Sequence, residues 1–172
     1  MNSVRVLFVC LGNICRSPTA HGVFQQLVIK RGFEQIIRVD SAGTGDWHIG
    51  RQPDRRSAAA ALVRGYDLDT LRARQVSARD FHEHDYILAM DEQNLRDLQA
   101  LRPADFRGEL GLFLTYGSLG LREVPDPYHG ESDAFEHVLD LVEDAAEGLL
   151  NTLIRRHPWL EPKAASSSEA AQ

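Results

Sequence analysis

Near the start of the chain, an apolar run of strand length is followed by a glycine-containing loop and then by residues typical of the start of a helix. VRVLFVC, residues 4–10, is β-branched and aromatic, and Pro18 stands where the first turn of a helix would lie. Similar short apolar runs occur at residues 36–40, 85–90 and 109–114. Short, nearly continuous apolar runs are typical of strands buried on both faces of a parallel sheet.

Stretches with helical periodicity separate these runs. They cover residues 18–31, 53–64, 91–101 and 133–155. Asp91 stands at a predicted N-terminus, and Asp133 with Glu136 matches a capping box at the start of the last helix. Alternating strands and helices predict an α/β fold, a single domain with a four-stranded parallel sheet and helices on both faces.

Composition limits the number of domains, the partners and the compartment that we expect for this chain. A length of 172 residues with 43% hydrophobic residues suits one domain. A net charge of −6 without a Lys/Arg cluster argues against nucleic acid or an anionic membrane as partner. The first apolar run is too short to span a bilayer, and no cleavage site follows it, so we expect a cytoplasmic protein. We expect the domain to comprise residues 1–158 and a disordered tail to comprise residues 159–172, because EPKAASSSEAAQ has no apolar residue larger than Ala.

Both cysteines of the chain lie in the first loop, VCLGNICRSP. They could form a metal site, a redox pair, or a nucleophile inside an anion-binding loop. A strand-to-helix loop of an α/β sheet presents backbone amides that converge on an anion. Gly12 permits close approach to a ligand, and Asn13 tolerates a left-handed backbone. The spacing from Cys10 to Arg16 and Ser17 suits a thiolate at the floor of a phosphate site, with Arg16 holding phosphate oxygens.

Metal binding has weak support in the sequence. A zinc site on Cys10 and Cys15 would need two more ligands, and a rigid phosphate loop offers none. His82 and His84 also lack third and fourth ligands at usable spacing. We therefore predict no metal and no cofactor.

The loop closely resembles the signature of the low-molecular-weight protein tyrosine phosphatases. The likeness continues through DSAGT (40–44), ARQV (73–76), MDEQNLRDL (90–98) and VPDPYHG (124–130), and it covers roughly residues 4–156. It implies a metal-independent phosphatase whose nucleophile is Cys10, whose phosphate-binding cation is Arg16 and whose general acid is Asp126. The resemblance also implies a substrate pocket formed by Leu11, Gly12, Asn13, Ile14, Cys15, Ser17, Trp47 and Tyr128.

Other proteins that share this fold remain alternatives. Arsenate reductases relay electrons through further cysteines, which this chain lacks. Arginine phosphatases carry Thr where Ile14 stands. A binding module without activity would be expected to lose Cys10, Arg16 or Asp126. The larger classical and dual-specificity phosphatases are not among these alternatives. As families they carry His before the nucleophile and place their general acid upstream, so Val9 and the downstream Asp126 exclude that assignment.

Two departures from the family pattern leave questions open. Leu71 replaces a histidine that helps to hold the loop asparagine, so support could come from Ser17, Ser41 or Arg72. His129 replaces a frequent second tyrosine, which should alter only the rim of the pocket.

Cys15 could pack under the loop or form a reversible disulfide with Cys10. The resemblance further implies a phosphotyrosine-containing protein as substrate, with a bacterial tyrosine autokinase as one candidate, and a monomeric enzyme.

Overall fold

Four parallel strands form the central sheet of the protein, and the structure, a computed structural model, describes residues 2–163. The strands are β1 Val4–Cys10, β2 Ile37–Gly43, β3 Tyr86–Ala89 and β4 Glu109–Leu112. Their order across the sheet is β2-β1-β3-β4, and every neighbouring pair is parallel. The predicted fold class is confirmed. Because β1 lies between β2 and β3, its carboxyl end is the point at which connections leave in opposite directions, where α/β sheets bind ligands.

Helices cover both faces of the sheet. They are α1 Arg16–Lys30, α2 Arg55–Val63, α3 Asp80–Glu83, α4 Glu92–Leu101 and α5 Ser132–Arg156, with a 3-10 turn at Phe113–Tyr116. Phe8 of β1 points to the face covered by α1 and α5, and Leu7 points to the face that contains Leu98 of α4. No helix within residues 2–163 combines the length and apolar character needed to cross a bilayer.

Three strands differ from their predicted limits, and β3 is shorter than the predicted 85–90 by one residue at each end. The second strand continues three residues beyond the predicted 36–40, because small residues at its end pair with the end of β1, as in Ala42 with Val9. The fourth strand stops at Leu112 and gives way to the 3-10 turn. Phe113 and Leu114 in that turn are still buried, so the apolar pattern alone could not separate the turn from a strand.

The helix caps confirm one prediction and correct another. Asp91 caps α4, because its carboxylate accepts a hydrogen bond from the backbone N–H of Asn94 at 2.7 Å. The predicted capping box of Asp133 and Glu136 is wrong. Helix α5 has no side-chain cap, and Glu136 instead forms an ion pair of 2.6 Å with Arg64 at the end of α2. The helix begins at Ser132, so Asp133 lies in its first turn and not at the N-cap position that a capping box requires.

The described part of the predicted tail, residues 159–163, makes contacts with the domain. Leu160 is buried in the same core as the helices of the first face, and Trp159 packs edge-on against His157. The backbone N–H of Lys163 donates to the carbonyl of Gly32 at 2.8 Å, which joins this segment to the end of α1. This segment is therefore joined to the domain by the buried side chain of Leu160 and the backbone of Lys163, while its other side chains are exposed. The rest of the predicted tail, residues 164–172, lies outside the described residues.

Candidate active site

The loop between β1 and α1 forms the floor of the candidate site. Cys10 is the last residue of β1 and pairs with Gly43 of β2. A Cβ atom on Gly43 would lie 2.8 Å from the carbonyl oxygen of Leu11, so only glycine lets β2 end this close to the loop. Asn13 has a φ of 55°, a left-handed conformation that asparagine tolerates better than most residues.

Asn13 connects the loop to the sulfur of Cys10. Its backbone N–H donates to Cys10 Sγ at 3.3 Å, and its side-chain Nδ2 donates to Ser17 Oγ at 2.8 Å. Ser17 Oγ lies 3.0 Å from Cys10 Sγ and 3.4 Å from the carbonyl of Ala42. Because Ser17 accepts from Asn13, its own hydroxyl hydrogen is free to point at the nearer acceptor, the sulfur. A thiolate at Cys10 would thus receive two hydrogen bonds.

Asn13 is held in place although Leu71 stands at the position of the histidine that the resemblance implied. Asn13 Oδ1 accepts from the backbone N–H of Arg74 at 3.0 Å, which adds to the bond with Ser17. The guanidinium of Arg72 instead donates to backbone carbonyls of its own turn, including that of Leu71. Ser41 Oγ lies 3.0 Å from the ring of His21 and takes no part in holding Asn13.

Arg16 is a fixed, buried cation beside the sulfur, with 3% of the residue exposed. Its Nη1 donates to Asp91 Oδ2 at 2.6 Å and to the carbonyl of Val124 at 3.0 Å, and its Nη2 lies 3.7 Å from Asp126 Oδ2. Burial lowers the pKa of Arg16, but Cys10 and the two carboxylates outweigh burial and raise it above its usual value. The guanidinium therefore stays charged and oriented toward the cleft.

A cleft of about 90 Å³ opens above this loop. It is lined by Cys10, Leu11, Gly12, Cys15, Arg16, Trp47, His48, Asp126 and Tyr128. Trp47 is 65% exposed and Tyr128 is 41% exposed, so their rings form the rim. Asp126 Oδ1 accepts from the backbone N–H of Tyr128 at 3.2 Å, which holds the carboxylate at the same opening.

The structure brings most of the predicted site residues together. Asn13 and Ser17 are buried and make the contacts described above, without lining the cleft. Ile14 lines a neighbouring depression instead. Cys15 lines the cleft as a free thiol, and burial, opposed by a hydrogen bond from Ser57, raises its pKa to about 12.

Two side chains of the site were missed by sequence reasoning. Asp91 was predicted only as a helix cap, although it holds Arg16 as well. Its position, two residues after the carboxyl end of the strand beside β1, was a usable signal, because such ends meet at one edge of a sheet. His48 lines the cleft next to Trp47, and nothing in the sequence pointed to it. Among residues 2–163, no group of three or more His, Cys, Asp or Glu side chains is placed to hold a metal ion.

Comparisons with known proteins agree on one family. The family described as low molecular weight phosphotyrosine protein phosphatase matches residues 5–158. A low molecular weight phosphotyrosine protein phosphatase of Schizosaccharomyces pombe is 42% identical over 153 residues, which are 88% of this chain and 97% of that protein. The crystal structure of YfkJ from Bacillus subtilis is 39% identical, with a TM-score of 0.85 over 91% of this chain and 98% of that one. A protein tyrosine phosphatase structure from Entamoeba histolytica, with Hepes in its active site, is 37% identical, with a TM-score of 0.86 over 90% and 99% of the two chains. The chain belongs to the low molecular weight phosphotyrosine protein phosphatase family.

Proposed function

We propose that this protein hydrolyses phosphotyrosine in protein substrates through a cysteinyl-phosphate intermediate on Cys10. The observation that carries the proposal is the convergence of a thiol, a buried cation and a carboxylate in one cleft with an aromatic rim. Arg16 lies 3.7 Å from Asp126, so the group that binds phosphate and the group that moves a proton lie side by side.

In the first step, the thiolate of Cys10 attacks the phosphorus of the substrate in line with the leaving oxygen. A phosphorus–sulfur bond forms as the bond from phosphorus to the tyrosyl oxygen breaks. Asp126, protonated, gives its proton to that oxygen, and tyrosine leaves as a neutral phenol. Arg16 and the loop amides stabilise the charge on the three remaining phosphoryl oxygens.

In the second step, Asp126 acts in reverse as a base. Its carboxylate takes a proton from a water molecule while the water oxygen attacks phosphorus. The phosphorus–sulfur bond breaks, inorganic phosphate leaves, and the thiolate of Cys10 is restored. The hydrogen bonds from Asn13 and Ser17 stabilise that thiolate as a leaving group.

The rim of the cleft supports selection of an aromatic substrate. Trp47 and Tyr128 stand on the rim with exposed rings that can pack against the ring of phosphotyrosine. A phosphoserine side chain is shorter and lacks a ring, so it would gain less from these contacts. The expected preference for phosphotyrosine follows from that difference in contact.

The domain limits, the compartment, the oligomeric state and the substrate of the enzyme are also proposals. The catalytic unit comprises residues 1–158, with Leu160 buried against it. It acts in the cytoplasm, where a reducing environment keeps both thiols free. It acts as a monomer, without metal or cofactor, on a phosphotyrosine-containing protein, and a bacterial tyrosine autokinase is one candidate.

Peptide assays test the proposal. Phosphotyrosine, phosphoserine and phosphoarginine peptides of one sequence should be compared at one pH, with and without a chelator. We expect the highest kcat/KM on phosphotyrosine and no effect of the chelator. Faster hydrolysis of phosphoarginine would instead assign the chain to arginine phosphatase activity, and Ile14→Thr would then be expected to increase that activity further. Loss of activity with the chelator would contradict the metal-independent mechanism.

A further inference from the structure

A second depression adjoins the catalytic cleft and is not used by the mechanism. Its volume is about 370 Å³, and its lining includes Ile14, His48, Arg51, Asp54, Arg55 and Tyr128. His48 and Tyr128 also line the cleft, so the two depressions share a wall. We call this depression the arginine groove. A residue next to a phosphotyrosine bound in the cleft would lie near the groove.

The arginine groove has an excess of positive charge. Its carboxylate, Asp54, is bound by Arg56 through two hydrogen bonds of 3.1 and 3.0 Å. Burial alone would raise the pKa of Asp54, but the bonds from Arg56 lower it, so this ion pair is formed at neutral pH. Within residues 2–163, neither Arg51 nor Arg55 has a carboxylate within 4.0 Å. Among the described residues, the groove therefore presents two exposed cations that have no acidic partner.

The backbone around the groove is fixed before any ligand binds. The carbonyl of Arg51 accepts from the N–H of Ala73 at 2.9 Å, and the N–H of Asp54 donates to the carbonyl of Ile14 at 2.8 Å. The second bond joins the groove directly to the phosphate loop. Arg56 also donates to the carbonyl of Tyr128 at 2.8 Å, which fixes the shared wall. A ligand in the groove would therefore be held at a set distance from the cleft.

We propose that the arginine groove is a subsite for a carboxylate side chain, Asp or Glu, located near the phosphotyrosine of the substrate protein. Arg51 and Arg55 supply the charge, and the shared wall of His48 and Tyr128 places that carboxylate beside the bound phosphotyrosine. The proposal rests on the proposed function of the cleft and extends it to the choice of protein substrate.

Matched peptides test the subsite. A neutral phosphotyrosine peptide is compared with versions that carry Glu in place of Gln at each of the two positions before and after the phosphotyrosine. The measured quantity is the ratio of kcat/KM for the acidic peptide to that for the neutral one, determined within each protein. Because the ratio is internal, a variant that contains less folded enzyme gives the same value.

We expect a higher kcat/KM for the acidic peptide than for the neutral one when Glu stands in at least one of these positions. An exposed ion pair changes affinity by about two- to fivefold, so Arg51→Ala with Arg55→Ala should lower that ratio by about three- to tenfold. About 0.5 M salt should lower it in the wild type as well. Arg51→Lys with Arg55→Lys keeps both charges and should keep most of the preference.

Arg107→Ala is the matched control, because Arg107 is another exposed arginine, located before β4 at the opposite edge of the sheet. It should leave the ratio unchanged. The subsite alone would be overturned if the enzyme hydrolysed phosphotyrosine peptides without preferring the acidic peptide at any position. It would also be overturned if that preference survived the double Ala substitution. Absence of activity on every phosphotyrosine peptide would instead overturn the function proposed for the cleft.

Discussion

Asn13 holds the phosphate loop in two ways, and substitutions can separate them. Its side chain makes two buried hydrogen bonds, to Ser17 Oγ and from the N–H of Arg74. Its backbone has a φ of 55°, which most residues adopt only at a cost. Asn13→Ala removes both hydrogen bonds and places a poorly suited residue in the left-handed conformation. Asn13→Gly removes the same bonds but accepts that conformation freely.

The expected losses follow from these contacts. Each buried hydrogen bond contributes about 0.5–1.5 kcal/mol, and a buried donor left without a partner costs about 1–3 kcal/mol. Asn13→Gly should therefore lower the free energy of unfolding by about 2–3 kcal/mol. Ala adds about 1–2 kcal/mol for its left-handed backbone, while Gly has an entropic disadvantage of about 0.5–1 kcal/mol. Asn13→Ala should thus be less stable than Asn13→Gly by about 0.5–1 kcal/mol.

Urea unfolding at neutral pH gives both free energies, and turnover of an aryl phosphate gives the functional effect. Both variants should also lose kcat, because Ser17 Oγ no longer accepts from Asn13 and its hydroxyl hydrogen is no longer directed at Cys10. If Asn13→Ala proved as stable as Asn13→Gly, the left-handed backbone would not explain the choice of asparagine. If both variants kept wild-type stability and kcat, the loop would not depend on Asn13.

Three further predictions concern the acid, the second cysteine and a buried histidine. Asp126→Ala should lower kcat on phosphotyrosine by about a hundredfold or more, and the loss should shrink for aryl phosphates with acidic leaving groups, which need less protonation; an equal loss for every leaving group would refute the role of acid. Mild peroxide should inactivate the enzyme by a disulfide that a thiol reverses, and Cys15→Ser should recover less activity; equal recovery would make Cys15 a packing residue. Burial lowers the pKa of His21 from 6.5, so the folded state favours the neutral ring, and stability present above that pH should be lost as the pH falls below it. Urea unfolding at about pH 7.5 and about pH 5.5 should show a smaller loss in His21→Gln than in the wild type, and an equal loss would contradict this assignment.

Local patterns predicted most of the fold. The first strand and its loop could be predicted because an apolar β-branched run is followed directly by residues suited to an anion site. The acidic cap at Asp91 was readable because capping depends on the next few residues only. The ends of β2 and β4 could not be predicted from local pattern, since small residues such as Ala42 pair as well as large ones, and buried residues such as Phe113 fit a turn or a strand.

Contacts between residues far apart in the chain could not be predicted in this way. Arg16 and Asp91 are separated by 75 positions, and only the order of the strands brings them together. Glu136 fitted a local capping pattern, but Arg64 of another helix takes its carboxylate. Leu160 was assigned to a tail because the sequence after it is polar, whereas the core has room for its side chain.

The most direct test of the proposed mechanism is to isolate the cysteinyl phosphate. Asp126→Ala is mixed with an aryl phosphate that has an acidic leaving group, so that the first step proceeds without an acid while the second lacks its base. The reaction is stopped rapidly, and the peptides are weighed by mass spectrometry. We expect one added phosphoryl group on the peptide that contains Cys10, and none when Cys10→Ser is combined with the same variant. A phosphoryl group on another residue, or turnover that persists in Cys10→Ser, would show that Cys10 is not the nucleophile.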